Sequence, residues 1–224
     1  MTMPDTHTDL TVPVIVEAMK LDWHASPSPT VWRKSLYRQG GEFGPVTSIV
    51  RYDAHSCFAR HAHPQGEEIL VLDGVFSDEH GDYPAGTFLL NPPGSAHAPF
   101  SQRGCVLFVH LKQYQGEGRV QAAVNPHATE WQAGEISGVQ QKPLYRQNGF
   151  PEKMTLERWS AGTQRTLNLT DGIAELLVLD GVVETAQREY GPQTWFRLPA
   201  YSGAWQFRSA QGCAIFLRVS ILFS

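Results

Sequence analysis

The sequence predicts an all-β protein made of two copies of one sandwich- or barrel-type domain. Three observations carry this. Short runs rich in Val, Ile, Leu, Phe and Tyr, broken by Gly, Pro, Asp and Asn, recur about every 8–12 residues. No extended helical periodicity runs through them. The chain also repeats itself.

In the first copy the runs are VTSIVRYD from Val46, EEILVLDG from Glu67, GTFLLNPPG from Gly86 and CVLFVHL from Cys105. EEILVLDG is almost continuously apolar after its glutamates, the pattern of a strand covered on both faces. Asp73-Gly74 and Asp180-Gly181 read as turns between strands. The duplication pairs KSLYRQGG at Lys34 with KPLYRQNG at Lys142, EEILVLDGV at Glu67 with AELLVLDGV at Ala174, and Gly104-Cys105 with Gly212-Cys213. Trp23 matches Trp131. The offset is 108 residues at both ends and 107 in the middle, a register chance does not keep. The expected organisation is an N-terminal arm (1–21), a first domain (22–113), a polar, Gly-containing linker (114–129) and a second domain (130–224).

With 42% hydrophobic and 18% charged residues the chain can bury a sizeable core. A net charge of -4 and the lack of a basic run exclude a nucleic-acid surface, which needs clustered positive charge. No apolar run approaches the roughly 18 residues of a membrane span, so no membrane partner is expected. MTMPDTHTDL has neither a basic nor an apolar leader region. Cys57, Cys105 and Cys213 are widely spaced and read as small core residues in a reducing compartment. A cytoplasmic location follows as the expectation.

The chemistry concentrates in RHAHPQGEE. His61 and His63 sit two apart, which puts two imidazoles on one face of a strand. Pro64-Gln65-Gly66 is a turn, so Glu67 can open the next antiparallel strand facing the same space. Two imidazoles and a carboxylate suit zinc, iron, copper or nickel, and His97 of Pro93-Gly94-Ser95-Ala96-His97 offers a fourth donor. Read alone, the H-x-H pair is equally a polar turn with solvated histidines. The other histidines read as solvated or turn residues. His110, which closes VLFVH, has in addition a route to the cavity. Arg51, kept as Arg158, reads as a structural ion pair, and Glu68, kept as Glu175, faces away from Glu67. Phe58, Phe76, Phe88 and Phe100 are open to a cavity-lining or a core reading.

The run from His61 to Gly74 resembles the first cupin motif, and Pro84-Ala85-Gly86 with Asn91 to His97 resembles the second. GGEFGPVTSIVRYD, HAHPQGEEILVLDGVFSDEHGDYPAGTFLLNPPGSAHAPFS and GCVLFVHL together resemble the cupin domain of ChrR-type anti-sigma factors. The second copy resembles it more weakly. The resemblance implies two tandem cupin β-barrels (jelly-roll, RmlC-like), with one divalent transition metal in the first, held by His61, His63, Glu67 and His97. Zinc is the metal of the ChrR family; iron, manganese and nickel serve similar sites in cupin enzymes. In the second copy Asn168, Thr170, Ala174 and Trp205 stand at the four ligand positions, so that barrel is expected to bind no metal and to serve packing, dimerisation or shielding.

The resemblance implies a sensor or small-molecule-binding module; the alternative is a non-haem metal-dependent dioxygenase acting on a small carbonyl or phenolic compound. ChrR-type factors hold sigma through an N-terminal zinc-binding domain marked by a His and a C-x-x-C pair. The first 21 residues contain His7 and no cysteine, so direct sigma-factor binding is not expected. No residue is assigned a catalytic role, and a homodimer is open.

Overall fold

The computed structural model describes residues 4–221 apart from 42, 115, 171, 201 and 202. Among them the only helices are two three-residue 3-10 turns, Ala18–Lys20 and Pro126–Ala128; everything else regular is strand. No helix is long and apolar enough to cross a membrane. Two compact units result. One contains residues 4–8 and 21–128, the other residues 9–20 and the chain from 129 on.

The large sheet of the first unit is antiparallel. Its strands run in the order Ala122–Val124, Phe88–Asn91, Glu67–Asp78, Cys105–Leu111, Val46–Tyr52, Val31–Arg38 and His24–Ala25. A separate ribbon pairs His61–His63 with Ser95–His97. The core between them includes Val31, Val50, Ile69, Phe76, Leu107 and Val109. As expected for EEILVLDG, Ile69, Leu70 and Val71 are all buried, so both faces of that strand are covered.

The second unit repeats this plan. Its seven-stranded sheet includes Gly172–Gly181, Cys213–Ile221, Glu152–Trp159 and Val139–Arg146, and a second sheet pairs Thr163–Leu169 with Gly203–Ser209. The two segments expected as arm and linker carry strands of their own. Val14–Glu17 pairs with Thr194–Leu198 in the second unit, and Ala122–Val124 pairs with Phe88–Asn91 in the first. Each covers an edge that would otherwise present unpaired backbone.

Outer-face features that persist in both copies are structural. Lys34 Nζ lies 4.6 Å from the Trp23 ring centre and Arg51 Cζ 4.9 Å from it; Lys142 and Arg158 repeat this over Trp131 at 4.8 and 4.4 Å. Arg51 also pairs with Asp53 at 3.3 Å, as the structural reading of it requires.

Asp73-Gly74 is not a turn. Strand Glu67–Asp78 runs straight through it, with a register shift against Cys105–Leu111 between Val106 and Leu107. Asp180-Gly181 likewise lies inside Gly172–Gly181, beside a shift between Val178 and Asp180. The Asp-Gly pair makes a bulge because Gly74 takes φ 73°, which bends the strand without ending it. Before the bulge the strand pairs with Phe88–Asn91; after it, with Gly81–Pro84.

A Cβ on Gly74 would lie 2.2 Å from the Gly104 carbonyl oxygen, in a conformation L-residues avoid. Gly74→Ala is therefore expected to destabilise the first barrel by about 2–4 kcal/mol. Gly149→Ala, at φ 85° with nothing within 4 Å, should cost only about 1 kcal/mol. Thermal unfolding of the two variants beside the parent checks the difference.

Candidate metal centre

The antiparallel ribbon aligns His97 opposite His61 and Ser95 opposite His63. Residues 61, 63 and 97 thus share one face, and it is turned toward the start of strand Glu67–Asp78. Turn residue Gly66 allows this close return: it has φ 71°, and a Cβ there would meet Tyr114 and the Asn91 carbonyl near 3 Å. The four side chains singled out in the sequence come together. His63 Nε2 is 3.1 Å from His97 Nε2, and each of these nitrogens is 3.4 Å from Glu67 Oε2. One ligand atom each from His61, His63 and His97 lies within 4.8 Å of the others.

The imidazoles are oriented from behind. His61 Nδ1 donates to the Ala59 carbonyl at 3.0 Å, and His97 Nδ1 donates to Asp78 Oδ2 at 3.1 Å. Both rings are therefore in the tautomer that leaves Nε2 as a lone-pair donor. Asp78 itself accepts from the Tyr83 hydroxyl at 3.1 Å. Asn91 Nδ2 donates to Glu67 Oε2 at 3.0 Å, and Gln121 Nε2 donates to Asn91 Oδ1 at 3.1 Å.

Electrostatics sort the protons. Burial, helped by His97 and His61, pushes His63 down to about 3, so this ring stays neutral across the physiological range. His97 is lowered, mainly by burial against the opposing pull of Asp78. Glu67 is raised to about 7, because burial outweighs the Asn91 hydrogen bond and the Arg33 charge. The buried Glu67 carboxyl thus holds a proton that competes with a cation near neutrality.

The donor set fits a transition metal. Ligand atoms about 2.1 Å from a common ion stand roughly 3.0–3.5 Å apart, the spacing of His63, His97 and Glu67 here. Several imidazole lone pairs and a buried carboxylate converging in an apolar cavity are costly without a cation between them.

The site opens on a cavity of about 460 Å³. Its apolar walls include Val50, Phe58, Ile69, Phe76, Leu107 and Val109, and Arg33 and Tyr52 also line it. Of the four phenylalanines considered, Phe58 and Phe76 line the cavity, whereas Phe88 is fully buried away from it and Phe100 is 37% exposed. His110 does not reach it. Alternation along Cys105–Leu111 turns it to the opposite face, where its Nδ1 is 3.4 Å from Glu68 and its ring packs on Phe108. Glu68 also accepts from the Tyr114 hydroxyl, so it faces away from Glu67 as expected.

Sequence reasoning missed Asp78, Asn91 and Arg33. Asp78 had a signal only if strand Glu67–Asp78 was known to bend; Asn91 lies opposite Glu67 in the register of its neighbour.

The second barrel differs in one detail from the sequence alignment. Leu167 opposes Trp205 and Leu169 opposes Gly203, so Leu167 and Leu169, not Asn168 and Thr170, sit at the inward positions matching His61 and His63. Asn168 and Thr170 are exposed. A shift of one residue moves every side chain to the other face. Leu167, Leu169 and Ala174 are core residues with Trp205 packed on them. The interior is closed electrically as well: Arg165 Nη2 is 3.0 Å from Glu157 Oε1, and Trp159 Nε1 donates to Glu157 Oε2 at 2.8 Å.

Comparison with known proteins agrees with this geometry. Residues 11–115 match the family model of the ChrR cupin-like domain. No curated protein matches the chain. Among solved structures, YlbA from Escherichia coli is similar with a TM-score of 0.72 at 13% identity, over 96% of this chain and 93% of that one. The E. coli pirin YhhW, solved in complex with nickel(II), is similar with a TM-score of 0.65 at 13% identity, over 95% of this chain and 100% of that one. Salicylate 1,2-dioxygenase from Pseudaminobacter salicylatoxidans gives 0.63 at 14%, over 97% and 86%. Likenesses at these identities establish the fold alone. The chain thus folds as two tandem cupin-type barrels, and its residues 11–115 match the ChrR cupin-like domain.

Proposed function

We propose that the first barrel binds one divalent transition metal through His61, His63, His97 and Glu67 and uses it to receive a small molecule in the adjoining cavity. The observation that carries this is the convergence of His63 Nε2, His97 Nε2 and Glu67 Oε2 within 3.4 Å of one another at the cavity wall. Zinc is the metal proposed first, on the ChrR resemblance; iron, manganese and nickel suit the same donors. Bound there, the metal would supply a Lewis acid. The chain's own residues do the rest. His61 and His97 are held in one tautomer by Ala59 and Asp78, Asn91 steadies the Glu67 carboxylate, and the cavity walls beside the ligands are largely apolar. The second barrel, with leucines, alanine and tryptophan inside, would serve packing.

A second reading, a dioxygenase, is favoured by the same donors opening on a cavity large enough for a small carbonyl or phenolic compound. Elemental analysis of protein purified without added metal, followed by oxygen uptake against diketones and phenolic ketones, separates the two. Zinc without uptake supports a sensor or binding module; iron with uptake supports the enzyme.

Elemental analysis should give one equivalent per chain, and His97→Ala or Glu67→Gln should leave less than one; two equivalents, or full retention by His97→Ala, contradicts the four-donor site. Asp78→Asn keeps the ligands but loses the carboxylate behind His97. It should weaken metal binding roughly 10- to 100-fold in a chelator competition assay. Because Glu67 titrates at about 7 without metal, its proton must leave as the ion binds. Affinity should be flat above that pH and fall about tenfold per unit below it, one proton being released. In Glu67→Gln that step should vanish from the competition profile.

A further inference from the structure

We propose that Arg33 is the anion anchor of the first barrel, and that the molecule the cavity receives is a small organic acid with an apolar body. The proposal rests on the metal-site reading and names the ligand class of that same cavity.

Arg33 lies on Val31–Arg38, opposite Val50, while Val31 is opposite Tyr52. Inward positions alternate, so Arg33 and Tyr52 are diagonal neighbours on the cavity wall. Both line the cavity together with Glu67 and the three histidines. Among the described residues Arg33 forms no ion pair within 4 Å, and its buried Nε has no hydrogen-bond partner. Burial lowers its proton affinity and the nearby Arg38 charge lowers it further, with Tyr52 and Glu67 only partly offsetting this. Arginine nevertheless stays charged. Arg33 is half-buried with its Nε buried and unpaired, which is costly for a guanidinium, and a carboxylate that accepts its planar fork offsets that cost.

The charge of the lining points the same way. Arg33, Arg60 and Lys112 are its cations, and Glu67 is its only carboxylate. Arg60 is already paired with Glu79. A divalent ion beside Glu67 adds further positive charge. Phe58, Phe76, Val50 and Ile69 leave the rest of the cavity apolar, which selects an acid carrying a hydrocarbon or aromatic body over a sugar or a phosphate ester.

The second barrel serves as an internal comparison. Residues common to both copies, such as Lys34 with Lys142 and Arg51 with Arg158, belong to the outer-face packing on Trp23 and Trp131. Arg33 is not kept: its counterpart is Gln141. It disappears together with the four donors. Where the second barrel does place an inward arginine, Arg165, it supplies Glu157 as a partner. Among the described residues, the interior arginine of the first barrel has no such carboxylate partner.

The test uses the full chain loaded with zinc, and titration calorimetry with benzoate, phenylacetate and hexanoate, each beside its neutral amide. At least one acid should bind, and its amide roughly tenfold or more weakly. Arg33→Gln places in the first barrel the residue the second one already tolerates. It should erase the acid preference while zinc content stays at one equivalent; Arg33→Lys should restore part of it. Acids that bind no better than amides, no binding by any probe, or a preference that survives Arg33→Gln would overturn the proposal. If the parent chain takes up none of zinc, iron, manganese and nickel, the metal-site reading fails by itself. The acid–amide comparison on parent and Arg33→Gln proteins without metal then decides the role of Arg33.

Discussion

The bend of strand Glu67–Asp78 at Gly74 is the constraint on which the site depends. Eleven residues separate Glu67 from Asp78, and a straight strand rising about 3.3 Å per residue would put them roughly 36 Å apart. Yet both carboxylates touch the same imidazole: Glu67 is 3.4 Å from His97 Nε2 and Asp78 is 3.1 Å from His97 Nδ1. The strand must curl round the barrel between them. The bulge beside Gly74 contributes to this, and only a residue without Cβ fits there against the Gly104 carbonyl. One strand therefore supplies both a candidate ligand and the group that orients another.

The two barrels show how little of this is needed to fold. Strand order, the bulge and the cation–aromatic stacking on Trp23 and Trp131 recur in both units. What changes is the interior. In one barrel it is buried His63, His97 and Glu67 beside a cavity that exposed His61 and half-buried Arg33 also line; in the other it is leucines, Ala174, Trp205 and a closed Arg165–Glu157 pair. Buried polar groups that a fold does without cost stability wherever they are kept. Their presence in the first barrel is best understood as chemistry.

The sequence displayed the donors because their geometry is local. H-x-H on a strand fixes two imidazoles on one face, and a three-residue turn returns Glu67 to them. His97, behind a Pro-Gly turn, was legible as a possible fourth donor, but that it meets the others depends on the pairing of the ribbon. The rest depends on register, which spacing does not carry. Asp73-Gly74 reads as a turn in one dimension, since a glycine at positive φ serves a turn and a bulge alike. Asp78 and Arg33 face the site only because of that bulge and of pairing with Val46–Tyr52. Alignment by identity put Asn168 and Thr170 where the strand places Leu167 and Leu169, an error of one residue that exchanges the faces of a sheet. His110 failed by the same rule of alternation, which turns it toward Glu68.

The central claim is a single cation held among His61, His63, His97 and Glu67. Anomalous diffraction from crystals grown with the metal the chain retains tests it most directly. The account predicts one anomalous peak in the first barrel, within bonding distance of those four side chains, and none inside the second. A peak elsewhere, a comparable peak in the second barrel, or none at all would contradict it.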